Sequence, residues 1–269
     1  MRRSIPAAGI LILLAMGFAA RTLEAAAILP GFDATTFAPN DDGSTGPISP
    51  GFSMNFFGTT FSEFYLNNNG NITFDSPLGT FTPFPLVANG IPMIAPFFAD
   101  VDTRSAGDPV RYGGGMANGH PAWGADWMNV DYYFSSSSHT NRNSFQLVLI
   151  DRTDTGAGNF DIEFNYDQIQ WESGEASGSD ANGRGGTCAR AGYTNGTTAF
   201  FELPGSGVCG ALLDGGSNAL ISQSINSNVP GRDIFEARNG TVLNPVPEPA
   251  SLLLLGAGLL GFARRGARR

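Results

Sequence analysis

Eight consecutive residues, Phe160-Asp161-Ile162-Glu163-Phe164-Asn165-Tyr166-Asp167, alternate without a break between apolar and polar side chains. A period of two sends neighbouring side chains to opposite faces. The segment is therefore expected as a strand with one face on a core and the other toward water. Met128, Val130, Tyr132 and Phe134 alternate in the same way with Asn129, Asp131 and Tyr133. Phe145–Ile150 is nearly continuously apolar, as a strand buried on both faces is. Phe64-Tyr65-Leu66 and Ile72-Thr73-Phe74 flank Asn67-Asn68-Asn69-Gly70-Asn71. Asn and Gly accept positive φ, so this reads as a hairpin. No long stretch repeats every 3.6 residues, and 36 glycines and 17 prolines make turns frequent. The expected fold class is all-β, a β-sandwich-like domain with long loops. Ala38–Pro50 and Gly174–Gly186 are poor in large apolar residues and are expected as loops.

The two ends differ from this body. Arg2 and Arg3 precede an apolar run, Ile10–Ala20, and small residues, Ala25-Ala26-Ala27. This is the pattern of a secretory signal peptide over 1–26, cut after Ala26 or Ala27. Arg21 and Glu24 end the run too early for a membrane span. At the other end, Val246-Pro247-Glu248-Pro249-Ala250-Ser251 leads into an apolar run, Leu252–Ala263, and then Arg264, Arg265, Arg268 and Arg269. Twelve residues of helix span roughly 18 Å, short of a hydrocarbon core of ~30 Å. Four arginines after the run would hold that end in the cytoplasm. A short transmembrane helix over 252–263, held briefly and then cut, is the expectation.

This tail resembles the PEP-CTERM sorting signal of Gram-negative bacteria that make exopolysaccharide. The resemblance rests on Pro247-Glu248-Pro249, the apolar run and the terminal arginines, in that order. It implies processing by an exosortase, delivery to the cell surface or matrix, and membrane attachment only until processing.

Between the ends, eight arginines stand against 22 acids, a net charge of −14. So acidic a surface argues against nucleic acid and anionic lipid as partners and is compatible with divalent cations. Cys188 and Cys209 both lie in the exported part. A disulfide is the default outside the cytoplasm. The rival readings are a reactive thiol and a metal pair, and neither cysteine has a neighbouring histidine.

Several segments in order resemble the extracellular nidogen-like (NIDO) domain. They are Phe56-Phe57-Gly58-Thr59, Leu66–Phe74, Ile94–Arg104, Phe145–Leu149, Phe164–Glu172, Ala191-Gly192-Tyr193, Leu203–Ser206 and Gly231-Arg232. Phe98 stands where that family usually carries tryptophan. The resemblance implies a non-catalytic module of matrix and adhesion proteins and transfers no ligand site. The expected layout is a signal peptide at 1–26, an N-terminal extension at 27–50, the nidogen-like β domain at 51–240 and the sorting signal at 245–269.

Signals for chemistry are few. There is no Gly-x-Ser-x-Gly, His-Glu-x-x-His, P-loop or CxxC. His120 and His139 read as exposed loop residues. Glu172 and Glu175 could serve a glycosidase, but close carboxylates arise by chance in so acidic a chain. Asp100 and Asp102 would share one side of an extended segment and could ligate Ca²⁺ weakly. The competing reading makes Asp100 a cap on backbone amides after Phe97-Phe98 and pairs Asp102 with Arg104. Asp151, Asp154, Thr155 and Gly156 form an incomplete calcium-loop pattern. Trp123 and Trp127 could stack on sugars, although burial in the sandwich is the expectation. No catalytic residue and no cofactor other than weak calcium is expected. The function read from these features is an exported, non-enzymatic surface or matrix protein, structural or adhesive, with extracellular polysaccharide or matrix proteins as candidate partners. The alternative is a polysaccharide-acting enzyme or carbohydrate-binding module exported by the same route.

Overall fold

A computed structural model describes residues 27–243 apart from 105, 137 and 138. Turn chemistry cuts these residues into sixteen short strands. The first seven are β1 (Thr35–Thr36), β2 (Met54–Phe56), β3 (Thr59–Phe61), β4 (Tyr65–Asn67), β5 (Asn71–Thr73), β6 (Pro92–Phe98) and β7 (Val101–Asp102). Four more follow: β8 (Arg111–Ala117), β9 (His120–Tyr132), β10 (Asn143–Asp151) and β11 (Phe160–Ile169). The last are β12 (Arg190–Asn195), β13 (Phe200–Glu202), β14 (Ser224–Ile225), β15 (Arg232–Arg238) and β16 (Thr241–Val242). Among the described residues, helical structure is confined to three single 3-10 turns.

The larger sheet runs β1-β8-β9-β10-β11-β15-β14, with β16 on β15 and β7 on β9. The smaller runs β13-β12-β6-β5-β4. A hairpin, β2–β3, stands apart from both. The all-β sandwich expected from the alternation is the fold observed. The main core joins Ile72, Ile94 and Phe97 of the smaller sheet with Trp127, Phe145, Leu147 and Phe164 of the larger. Trp127 stacks on Phe145 with ring centroids 5.1 Å apart, and Phe97 meets Phe145 at 5.3 Å. Both Trp123 and Trp127 are buried. Within β10, Phe145, Leu147 and Leu149 face this core, while Val148 and Ile150 pack with Phe32 on the opposite face.

One expectation is corrected on that opposite face. Phe160, Ile162, Phe164 and Tyr166 of β11 do turn to the core. The residues between them, Asp161, Glu163 and Asn165, are buried as well and do not face water. Asp161 pairs with Arg152 at 2.9 Å and Arg238 at 2.5 Å, and the segment just after residue 26 reaches the partners of Glu163 and Asn165. Gln146 donates to the Leu29 carbonyl and accepts from the Leu29 amide at 2.7 and 3.0 Å, and it also accepts from Asn165 at 2.8 Å. Arg232 pairs with Glu163 at 3.0 Å and donates to the Ala27 carbonyl at 2.7 Å. Burying a carboxylate is tolerable here because a guanidinium is buried with it.

The Asn67–Asn71 turn does form a hairpin, with Leu66 opposite Ile72 and Asn67 opposite Asn71. It is wholly buried instead of lying at a surface tip. Gly70 holds φ at +72°, and a Cβ there would lie 1.8 Å from the Phe97 carbonyl oxygen. Asn67 donates to Asn71 Oδ1 at 2.8 Å and Thr73 Oγ1 at 3.0 Å. Asn68 donates to the Val101 carbonyl and accepts from Trp127 Nε1 at 2.9 Å. Asn71 donates to the Asn69 carbonyl at 3.1 Å. The turn therefore serves as a polar hub between the two sheets.

Among the described residues no helix is long and apolar enough to cross a membrane. The expected transmembrane helix at 252–263 thus finds no support here, and that run lies outside the described residues.

Candidate functional site

The polar hub borders a cluster of acids supplied by two distant segments. The loop at 38–43 is irregular but firmly tied. Asn40 Oδ1 accepts from the Gly43 amide at 2.8 Å, and the Asn40 amide donates to Thr103 Oγ1 at 2.9 Å. The Thr103 amide donates back to the Asn40 carbonyl at 3.0 Å. Asp41 is bridged to Asp102 of β7 by this pairing. On the other side the chain bends between β6 and β7, where the Val101 amide donates to the Ala99 carbonyl at 3.0 Å. Asp100 sits in that bend. Asn69 spans the two segments, accepting from the Val101 amide at 2.9 Å and donating to Asp42 Oδ1 at 2.7 Å.

The result is a cavity of about 320 Å³ lined by Asp41, Asp42, Phe81, Asp100, Arg104, Tyr133 and Ala176. One carboxylate oxygen from each of Asp41, Asp42 and Asp100 lies within 4.8 Å of the others. Asp100 is only 2 % exposed. Its Oδ2, like Asp41 Oδ1, is buried without a hydrogen-bond partner. Gly174 forms the wall behind it, and a Cβ there would meet Asp100 Oδ2 at 2.1 Å. Burial first, then the charges of Asp41, Asp42 and Asp102, pushes the Asp100 carboxyl up to about 8 against the opposing pull of Arg104. Burial and the neighbouring Asp42 and Asp102 raise Asp41 to about 6, again opposed by Arg104. Chemically this is a group of poorly solvated acceptors that favours anything positive entering it.

Asp102 pairs with Arg104, as one of the two readings of the sequence has it. Asp100 lies between β6 and β7, which pair with different strands. Asp102 is engaged by Arg104 through Nε at 3.0 Å and Nη2 at 2.8 Å. Arg104 Nη2 also meets Asp41 Oδ2 at 2.7 Å. Asp41 and Asp42 were readable only as part of a turn, Asn40-Asp41-Asp42-Gly43, and nothing local points to Asp100, some 60 positions on.

The remaining candidates are distributed elsewhere. Cys188 and Cys209 form a disulfide. Glu172 lies beside it, accepting from the Gly185 amide at 3.2 Å and the Gly210 amide at 2.8 Å. With both sulfurs bonded to each other, that trio offers no thiolate to a metal. Glu175 accepts from the Ser135 amide at 2.6 Å and hydroxyl at 2.9 Å, so the Glu172 and Glu175 carboxylates are each occupied. Asp151 accepts from the Thr153 amide at 2.9 Å, and Asp154 pairs with Arg152 at 3.1 Å. His120 is partly exposed, 3.9 Å from Asp154. His139 corrects the expectation of an exposed loop residue. Its side chain is buried against Tyr132, with Nδ1 3.0 Å from Asp131 Oδ1. Val246, Pro247, Glu248 and Pro249, and Arg264, Arg265, Arg268 and Arg269, lie outside the described residues, as does the signal segment 1–26.

Comparison with known proteins gives two family matches. The nidogen-like domain matches at residues 62–123 and 110–239. The PEP-CTERM protein-sorting motif matches at residues 245–269. Alpha-tectorin of Gallus gallus is 35 % identical over 256 residues, covering 86 % of this chain and 11 % of its own length. Alpha-tectorin of Homo sapiens is 35 % identical over 229 residues, covering 76 % and 10 %. Nidogen of Drosophila melanogaster is 28 % identical over 225 residues, covering 74 % and 15 %. The chain thus spans about a tenth of the length of the tectorins it matches. No solved structure matches it. Asp100, Arg104 and Tyr133 fall inside the nidogen-like match, whereas Asp41 and Asp42 precede it.

Proposed function

We propose that this chain, which belongs to the nidogen-like domain family, is a non-enzymatic structural or adhesive protein of a bacterial cell surface or exopolysaccharide matrix. A nidogen-like domain followed by a sorting motif fits an extracellular, sorted protein, and that motif implies processing by an exosortase. The observation that carries the reading is this order of parts: the sorting motif at 245–269 directly follows the domain. The domain is the cargo, and the tail holds it at the membrane only until it is cut. The acidic cavity supports a non-catalytic role. A glycosidase sets two carboxylates on either side of a bond, whereas three carboxylate oxygens here lie within 4.8 Å of one another.

The test is peptide mapping of the full chain produced in an exosortase-bearing host that makes exopolysaccharide. The surface or matrix fraction should lack Leu252–Arg269, and a Pro247→Ala, Glu248→Ala variant should stay with the membranes. An intact C-terminus on surface protein, or equal sorting of the variant, would overturn the reading. The adhesive half is tested by retention of the purified protein on the host's own polymer.

A further inference from the structure

We infer that Asp41, Asp42 and Asp100 form a binding site for one divalent cation of the calcium type in the acidic cavity. The geometry suits that ion. Ca²⁺ takes oxygen ligands at about 2.3–2.6 Å in a flexible shell of six to eight. Oxygens around such an ion are separated by at most about twice that radius, and those of the three carboxylates lie within 4.8 Å of one another. Mg²⁺ demands shorter bonds and near-octahedral order, which carboxylates drawn from two unrelated segments are less suited to give. The space in front of the three oxygens is large enough for the waters that would complete the shell.

A cluster of acids alone would not establish a site. The second observation is the state of Asp100. Its carboxylate is almost wholly buried, Oδ2 has no hydrogen-bond donor, and one of its oxygens lies within 4.8 Å of an oxygen from each of Asp41 and Asp42. Its surroundings are crowded with like charge. Asp41, Asp42, Asp102 and Arg104 act on it, so four carboxylates face one guanidinium. Arg104 is spent on Asp102 and Asp41 and does not reach Asp100. Tyr133 brings its ring to the cavity wall. A divalent ion would supply the missing partner and leave the site near neutrality. Asp42 retains a free role in this scheme, since Asn69 holds only its Oδ1.

The inference does not depend on whether the tail is processed or what the domain adheres to, so its failure would leave the sorting proposal standing. The test uses the full chain stripped with a chelator. Its melting temperature is followed against CaCl₂, MgCl₂ and NaCl at equal ionic strength, with Ca²⁺ binding measured by calorimetry in parallel. CaCl₂ should raise the midpoint by several degrees beyond NaCl, since an ion that binds only the folded state stabilises it by mass action. MgCl₂ should do less. Asp100→Asn and Asp42→Asn should each weaken Ca²⁺ binding at least tenfold and remove the calcium-specific shift. Asp167→Asn, an exposed acid on the same domain, should retain both. Equal shifts with CaCl₂ and NaCl in the unmodified chain would overturn the site. So would full Ca²⁺ binding by Asp42→Asn, a loop variant that keeps its Asn69 hydrogen bond and tests the site even if Asp100→Asn fails to fold.

Discussion

The asparagine hub at 67–71 and the aspartate cluster at 41, 42 and 100 are neighbours, joined by the Asn69–Asp42 hydrogen bond. They are built on opposite terms. The side-chain N–H groups of Asn67, Asn68, Asn69 and Asn71 all find acceptors inside the protein. In the aspartate cluster, two carboxylate oxygens are buried with no donor. The cause is in the functional groups. An amide carries donors and acceptors, so a group of amides can satisfy itself. An ionised carboxylate carries acceptors only, so a group of carboxylates must borrow from outside. The first cluster has every side-chain donor paired and only Asn68 Oδ1 left without a partner among its oxygens, so it serves structure, while the second favours a positive visitor.

The most damaging change on the structural side should be Gly70→Ala. It sets a methyl group against the Phe97 carbonyl in a left-handed turn, and a loss of about 4 kcal/mol or more is expected. Urea unfolding measures it. A midpoint near that of the unmodified protein would mean the hub is not held tightly between the sheets.

A more direct way to break the contrast is Asn67→Asp, which removes the donors that reach Asn71 and Thr73 and adds a buried acceptor. The expected cost near neutral pH is about 3 kcal/mol. Part of it should return in acid, as the new carboxyl takes a proton. A pH-independent loss would show that shape, not donor count, governs the hub.

The smallest effect concerns Asp233 on β15, another buried carboxylate without a hydrogen-bond donor to its oxygens. Burial raises it to about 7, with the nearby Ile225 amide opposing. Between pH 4 and pH 7 the folded protein therefore holds a proton that the unfolded chain has released. Stability from this group is present at low pH and is lost as pH rises through that window. Asp41, Asp100 and Asp126 tilt the curve in the same direction. The quantity to measure is thus the difference between the unmodified protein and Asp233→Asn. Their stability difference should change by about 2 kcal/mol from pH 4 to pH 7, well below the full linkage limit. Parallel curves would place Asp233 in contact with water.

Much of the fold was readable because strands announce themselves locally. The alternation in β11 and the two-sided apolar run in β10 each specify a face within ten residues. The hairpin at Asn67–Asn71 was equally local. Its burial was not, because a turn signal carries no information on what lies above it. The polar face of β11 looked solvent-exposed for the same reason. Part of its cover comes from Leu29 and its neighbours, 117 positions from Gln146. The aspartate site was half visible. Asp100 stood out in its Asp-x-Asp, but the rule that pairs such residues assumes an extended strand, and the chain bends there. His139 was misread because serines flank it, although Tyr132 and Asp131 enclose the ring.

The contact between Arg232 and the Ala27 carbonyl ties positions 205 apart in sequence. For a chain that emerges from a membrane N-terminus first, the opening residues must wait, solvated, until β15 has followed them out. The cover over β11 is then among the last things to close. Such long-range closure is slow to form, which favours passage as an open chain and delays folding until almost the whole domain is outside.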